Sequence, residues 1–306
     1  MMGSEAHSGG RTPFSWRRFF GYLISVVTVV LLLAVAAGLL LGINPLELRA
    51  AQATDDKAQI TILWPELAGT GSGEKPKGTW LPRQFQEELL VLAGHAWTDA
   101  TTRGPRGRLD AVATALEKTG WFVGTPRARR ESGSRVIVDG VWRIPAAVVR
   151  HGGRDHLISW TGMPMPAQYD IGAANLRAII APALGPPRDA DARLDFGTAW
   201  PGEDIAASLE LLAIVIDRPW GVQVAAVDAS EYSSKNSLTI VTSHNTRIIW
   251  GGRPSKPRQG EVSTNEKLVR LGTLYRDWGR IDAKYNAIDI SQPHLTIDVR
   301  AGATGK

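Results

Sequence analysis

One uncharged segment near its start constrains this chain more than any other feature. Residues 19–42 read FFGYLISVVTVVLLLAVAAGLLLG, 24 residues without a charged side chain. As a helix, such a segment measures roughly 36 Å and exceeds the hydrocarbon core of a bilayer, which is about 30 Å thick. Arg17 and Arg18 precede it directly. Because positive charge flanks the cytoplasmic end of membrane helices, the pattern predicts a cytoplasmic tail at 1–18 and an extracytoplasmic chain from residue 43 onward.

A cleaved signal peptide is the alternative interpretation of this segment. Ala51-Gln52-Ala53 resembles the small-x-small pattern of a cleavage site. The apolar core of a signal peptide is only about 7–15 residues long, so the length favours a retained anchor. We therefore predict a single-pass protein of the inner membrane with one transmembrane helix at 19–42, a linker at 43–57 and working domains in the periplasm.

Composition and charge exclude several classes of protein. The chain has no cysteine, which excludes disulfides, thiolate catalysis and cysteine-based zinc or iron–sulfur sites. Its net charge of +5 comes mainly from residues 103–154, where eleven basic residues stand against four acidic ones. No nucleic-acid reading motif accompanies this block, so we predict no nucleic-acid partner. Its arginines can be interpreted in two ways: they face anionic lipid headgroups or an acidic partner, or the alternation of side chains along strands simply places them in water.

Hydrophobic periodicity predicts an α+β fold in two domains. Residues 58–143 follow the order β-α-α-β-β. Residues 144–300 are typical of a mixed β-sheet domain with flanking helices, followed by a short tail at 301–306. Within this second domain, residues 171–181 are weakly helical and residues 261–278 predict a longer helix.

The chain lacks the common catalytic motifs. No His-Glu-x-x-His pattern, Gly-x-Ser-x-Gly elbow or Gly-Lys-Ser/Thr phosphate loop occurs in it. We predict no catalytic, metal-binding or cofactor-binding residues, no cofactor and no small-molecule substrate. The alternative is an anchored cell-envelope enzyme such as a wall hydrolase, which needs two carboxylates across a cleft. The candidate acid pairs are Asp189 with Asp191 and Glu203 with Asp204. The simpler interpretation is that the first pair lies in a polar loop and that the second caps a helix N-terminus.

Five short motifs occur in an order that resembles the FtsQ/DivIB family of bacterial cell-division proteins. The resemblance spans residues 16–300, with a POTRA-like domain at 58–143 and a β domain at 144–300. The chain departs from the family pattern at Trp142, at Ser291-Gln292 and in an insertion at 66–80. The matching motifs are Arg143-Ile144-Pro145-Ala146-Ala147, Leu157-Ile158-Ser159-Trp160-Thr161-Gly162, the strands Leu238–Thr242 and Ile248–Gly251, Lys267-Leu268 with Leu271 and Leu274, and Ile288-Asp289-Ile290.

This resemblance implies a scaffold rather than an enzyme. Members of the family bind small bitopic division proteins, FtsB and FtsL, outside the cytoplasmic membrane and help to control septal peptidoglycan synthesis. An envelope assembly factor that carries a POTRA domain but has no role in division is a further alternative. The family-motif residues carried over to this chain are Arg143, Pro145, Ala147, Lys267 and Leu268.

The last two strands are the predicted partner-binding edge, because an open sheet edge can accept a partner strand. Alternation places Leu295, Ile297 and Val299 on one face, where we expect them to pack on the 267–278 helix. The residues assigned to this edge are Ile288, Ile290, Leu295, Thr296, Ile297 and Val299.

Overall fold

The described strands form two separate sheets. The computed structural model describes residues 58–66, 78–100, 103–131 and 134–298. The strands are β1 Gln59–Ile62, β2 Arg127–Arg130, β3 Arg135–Asp139, β4 Pro145–His151, β5 Arg154–Ser159, β6 Pro164–Asp170, β7 Ala178–Ile180, β8 Val224–Asp228, β9 Leu238–Thr242, β10 Arg247–Gly251, β11 Ala287–Asp289 and β12 Thr296–Asp298. The helices are α1 Arg83–Asp99, α2 Gly104–Glu117, α3 Glu203–Val215, α4 Tyr232–Lys235 and α5 Thr264–Trp278, with a 3₁₀ turn at Gly221–Gln223.

The described chain divides into two compact units. Residues 64–66 and 78–87 belong to one unit, and residues 58–63 and 88–298 belong to the other. Within the first unit, Glu66 forms an antiparallel bridge with Thr79. The side-chain amide of Gln86 donates a 2.7 Å hydrogen bond to the carbonyl oxygen of Leu81. These local bonds order the approach to α1.

The smaller sheet has three strands in the order β1-β3-β2. β1 pairs with β3 in parallel and β2 pairs with β3 antiparallel. Period-two alternation buries Ile60, Ile62, Val136 and Val138 on one face, the face against which α2 packs. The order β-α-α-β-β is therefore present over residues 59–139.

The larger sheet has nine strands in the order β12-β11-β10-β9-β8-β7-β4-β5-β6. It is mixed, since β7 pairs in parallel with both β4 and β8, and β10 pairs in parallel with β11. Gly152 and Gly153 both have positive φ, 59° and 77°, which the tight turn between β4 and β5 requires. One hydrophobic core joins this sheet to α3 and α5, and it includes Ile158, Ile179, Leu211, Leu212, Val227, Ile240, Trp250, Leu271 and Ile288.

The expected fold class needs a correction. We expected an α+β chain with a transmembrane helix ahead of the two domains. Over the four described ranges, no helix is long and apolar enough to cross a membrane. The longest described helix, α1, has 17 residues and measures about 26 Å, less than a bilayer core. The expected span at 19–42 lies outside the described residues, as do the tail at 1–18, the linker at 43–57 and the tail at 301–306. The chain as described is an α+β fold with a large mixed sheet.

Two strands of the larger sheet were missed by the sequence patterns. Residues 171–181 were expected to be weakly helical, but they form a turn followed by β7. β7 has only three residues, too few for a periodic signal, and its parallel neighbours β4 and β8 hold it. β6 begins at Pro164 and contains Pro166, and prolines argue against a strand in a sequence pattern. β6 tolerates them because it is an edge strand.

The basic block at 103–154 does not form one surface. Arg150 pairs with Asp155 at 2.8 Å and Arg154 pairs with Asp170, both within the larger sheet. Arg143 is half-buried and bonds to carbonyl oxygens. Exposed arginines of the block lie at or before the start of α2, on β2, at the start of β3 and at the start of β5.

Candidate partner-binding edge

β12 is the outermost strand of the nine-stranded sheet. It pairs antiparallel with β11, with Ile288 opposite Ile297 and Asp289 opposite Thr296. No described strand pairs with its other side. The outward backbone N–H and C=O groups of β12 therefore have no ladder partner in the described part of the chain, which is the arrangement that an added strand needs.

The opposite edge of the same sheet differs in its chemistry. β6 carries Pro164 and Pro166, which have no backbone N–H to donate. Asp170 at its end pairs with Arg154 of β5. Proline and charge on an edge strand disfavour pairing with another chain. Of the two edges, β12 is thus the one whose described residues contain no proline.

α5 contributes to the core behind this edge. Ser263 caps its start by accepting a hydrogen bond from the Glu266 N–H at 3.2 Å. Gly279 ends it in the left-handed conformation with φ 69°, donating to the Tyr275 carbonyl at 2.7 Å. Leu271 is fully buried in the cluster that contains Ile288. The helix and β11 therefore share one core.

A buried ion pair fixes the first turn of α5. The Nζ atom of Lys267 lies 2.8 Å from Oε2 of Glu261, and each side chain is only 1% exposed. The same ammonium lies 5.1 Å from the ring centroid of Trp250 in β10. Glu261 also accepts hydrogen bonds from the Gly252 N–H at 3.0 and 3.1 Å and pairs with Arg258. These bonds tie α5 to the end of β10.

The electrostatics of this pair follow from burial and mutual attraction. Burial lowers the pKa of the Lys267 ammonium, while the hydrogen bond and charge of Glu261 oppose that effect. Burial by itself would raise the pKa of Glu261. The hydrogen bonds from Lys267 and Arg258 outweigh it, so the Glu261 pKa lies below its ordinary value. The carboxylate is therefore ionised at neutral pH.

Arg270 of α5 secures the turn between β11 and β12. Its guanidinium donates to the carbonyl oxygens of Ile290 at 3.1 Å and Pro293 at 2.8 Å, and to that of Gln292. It also pairs with Glu266 one turn earlier at 2.6 Å. The sequence patterns missed this role, because an arginine on an amphipathic helix predicts only a solvated side chain.

The residues assigned to the edge from sequence occupy different environments. Ile288 and Ile290 are buried and belong to the core. Thr296 is exposed and Ile297 is half-buried. Leu295 is 39% exposed. Val299 lies outside the described residues.

The family-motif residues have structural positions. Arg143 donates from Nη1 to the carbonyl oxygen of Phe196 at 2.7 Å and from Nε to that of Phe122 at 3.0 Å. A further bond from Nη1 reaches Pro164 at 3.3 Å. Burial lowers the pKa of Arg143. Pro145 is the first residue of β4, where a missing N–H is tolerated. Ala147, Lys267 and Leu268 lie in or against the interior.

The candidate acid pairs are not brought together. The Asp189 carboxylate accepts from the Asp191 and Arg193 N–H groups within one exposed loop. Glu203 and Asp204 line a cavity of about 580 Å³ whose lining contains neither Asp189 nor Asp191. Buried Asp204 accepts a 2.7 Å hydrogen bond from the Ala183 N–H. The two candidate pairs are therefore not brought together, and only Glu203 and Asp204, neighbours at the start of α3, share a cavity.

Within residues 58–66, 78–100, 103–131 and 134–298, no group of three or more His, Asp and Glu side chains is placed to hold a metal ion. No protein-family model matches the chain, and no curated protein matches it in sequence.

Proposed function

We propose that this protein is a non-enzymatic scaffold of the bacterial division machinery that binds small bitopic division proteins of the FtsB/FtsL kind outside the cytoplasm. Through these partners it helps to control septal peptidoglycan synthesis. The order of the five sequence motifs supports the assignment to the FtsQ/DivIB type. One structural observation carries it: no described strand covers the outer side of β12, whereas the other edge of the sheet carries two prolines.

In this proposal a partner strand pairs with β12 and extends the sheet. Main-chain hydrogen bonds would supply affinity, and side chains beside the strand would supply specificity. Leu295 and Thr296 are exposed beside this edge and would contact the partner. Arg270 holds the turn that leads into β12, so the edge is ordered before a partner arrives. Preordering reduces the entropic cost of binding.

A proline substitution in the edge strand tests this function. Ile297→Pro removes one backbone N–H and bends β12. We expect the full-length variant to lose binding to the purified extracytoplasmic segments of the organism's small bitopic division proteins by at least about tenfold, or 1.4 kcal/mol. Circular dichroism and the melting temperature should stay close to those of the wild type, because β12 is a short strand at the sheet margin.

Gln168→Pro is the matched control, since Gln168 is an exposed residue of the other edge strand. It should leave binding unchanged. Leu295→Asp provides a second variant that keeps every backbone N–H and alters only an exposed side chain. A folded Ile297→Pro protein that binds these segments as tightly as the wild type would contradict the proposal.

A further inference from the structure

The face of the three-stranded sheet that points away from α2 is chemically unusual. The helix-side residues of β1 and β3 are buried, so Thr61, Ile137 and Asp139 alternate to the opposite face. Arg127 and Arg129 of β2 point to that same face, opposite Asp139 and Ile137 respectively. The face therefore combines arginines with apolar residues. It belongs to a different sheet from β12.

Three exposed apolar side chains lie toward one end of this face, and we call them the apolar row. Leu63 follows β1, Val141 follows β3, and Val123 lies beside Val141, whose carbonyl oxygen accepts the Val123 N–H at 2.7 Å. The indole of Trp142 donates to the Leu63 carbonyl at 3.0 Å, which links the first two segments. The side chains are 44%, 68% and 60% exposed. Single exposed apolar residues are ordinary, but adjacent ones mark interaction surfaces.

Arginines border this row along β2. Arg127 and Arg129 are exposed, and neither forms an ion pair within 4.0 Å in the described part of the chain. Asp139 faces Arg127 across the strands but is not within that distance. At the other end of β3, Arg135 forms an ion pair with Glu131 at 3.3 Å. Two cations beside an apolar row are complementary to carboxylates beside an apolar stripe.

We propose that this face, defined by Leu63, Val123, Val141, Arg127 and Arg129, binds a segment of another protein that presents an apolar stripe bordered by Asp or Glu. A second copy of the chain would bring arginine against arginine, which is unfavourable. This site is independent of the β12 edge and does not rest on the proposed function.

Photo-crosslinking in the native cells tests the proposal on the full chain. Benzoyl-phenylalanine replaces Val141, and the peptide attached to it is sequenced by mass spectrometry. The same probe at Val269, which is 58% exposed on α5, is the matched control. We expect one protein adduct at 141, absent at 269, whose attached peptide contains apolar residues bordered by Asp or Glu.

Charge reversal then decides whether the arginines recognise that segment. Arg127→Glu together with Arg129→Glu should reduce the adduct yield at least about tenfold, because like charges across an interface are strongly unfavourable. Arg193→Glu, at an exposed loop position, should leave the yield unchanged. An adduct with lipid, with a second copy of this chain or with a peptide that lacks Asp and Glu would overturn the proposal. So would the absence of any adduct, or an unchanged yield after the double reversal.

Discussion

The Nζ atom of Lys267 lies 2.8 Å from Oε2 of Glu261, with both side chains almost completely buried. The pair joins the first turn of α5 to the loop after β10. Removing one partner leaves the other charge buried and uncompensated, which typically costs about 3–5 kcal/mol. We therefore expect Lys267→Met to lower the free energy of unfolding by roughly that amount. Urea denaturation followed by circular dichroism measures it.

An exposed ion pair supplies the control for this prediction. Lys235 and Glu231 are 2.7 Å apart, but both side chains are largely in solvent. Lys235→Met should change the free energy of unfolding by no more than about 1 kcal/mol. Equal losses from Lys267→Met and Lys235→Met would show that burial of the first pair has no energetic consequence.

Acid should destabilise the protein through the same network. The pKa of Glu261 is lower in the folded chain than its ordinary value of 4.5, so its contribution to stability is present above that pH. The contribution is lost as pH falls through the folded-state value. His156 also makes the protein less stable as the pH falls below 6.5. Burial lowers its pKa, because the folded state disfavours the charged form of the imidazole.

Unfolding free energies measured from about pH 7 to about pH 3 test this sign. We expect a decline on acidification in the wild type and a shallower decline below 4.5 in Glu261→Gln, which cannot titrate there. The steepness in the range of His156 should be the same in both proteins. If the free energy of unfolding of Glu261→Gln falls as steeply as that of the wild type below pH 4.5, Glu261 is not responsible for the loss of stability in acid.

Arg143 should contribute to stability through its carbonyl partners. It bonds to Phe122, Pro164 and Phe196, which lie in three separate parts of the sequence. Hydrogen bonds to a charged group contribute about 1.5–3 kcal/mol, so Arg143→Met should destabilise the chain by an amount in that range. Arg143→Lys should recover only part of it, since an ammonium does not reproduce the planar fork.

The control for Arg143 is Arg129→Met, which removes an exposed arginine without an ion pair in the described residues. Surface changes of this kind usually fall within about 0.5 kcal/mol. Chemical denaturation of the three purified variants ranks them. A loss for Arg129→Met as large as that for Arg143→Met would contradict the structural role of the carbonyl bonds.

Arg270 should affect partner binding more than global stability. Arg270→Ala frees the carbonyl oxygens of Ile290, Gln292 and Pro293 at the turn before β12. We expect faster amide hydrogen exchange in 290–298 and weaker binding at the β12 edge, with the core strands β8 and β9 still protected. Val269→Ala, at the exposed neighbouring position, should change neither measurement. Unchanged exchange at 290–298 would remove the turn-securing role from Arg270.

Local patterns identified much of the fold. Period-two alternation predicted β9 and β10, which the structure places as an antiparallel pair joined by a short turn. The sequence pattern predicted a helix over 261–278, and α5 begins at Thr264, three residues later, with Ser263 as its cap. Such signals are available because one face of each element meets water and the other meets the core.

Long-range partners were not available from these patterns. The bond from Arg143 to Phe196 joins residues 53 positions apart, and an arginine by itself carries no signal of which carbonyl it will meet. The short strand β7 exists because β4 and β8 flank it, and its three residues have no period of their own. Pro164 and Pro166 were visible in the sequence, yet only the strand order shows that they protect an edge.

The sequence by itself determined which faces are apolar, where the main helices and strands lie, and that strands form near residues 288 and 297. Only the tertiary structure decided that β12 is the outermost described strand of its sheet, that Lys267 is buried against Glu261, and that Val123 pairs with Val141. The physical reason is that alternation and helical spacing report contact with core or solvent. They do not report which distant segment provides the contact, because that depends on strand order and chain closure over the whole sheet.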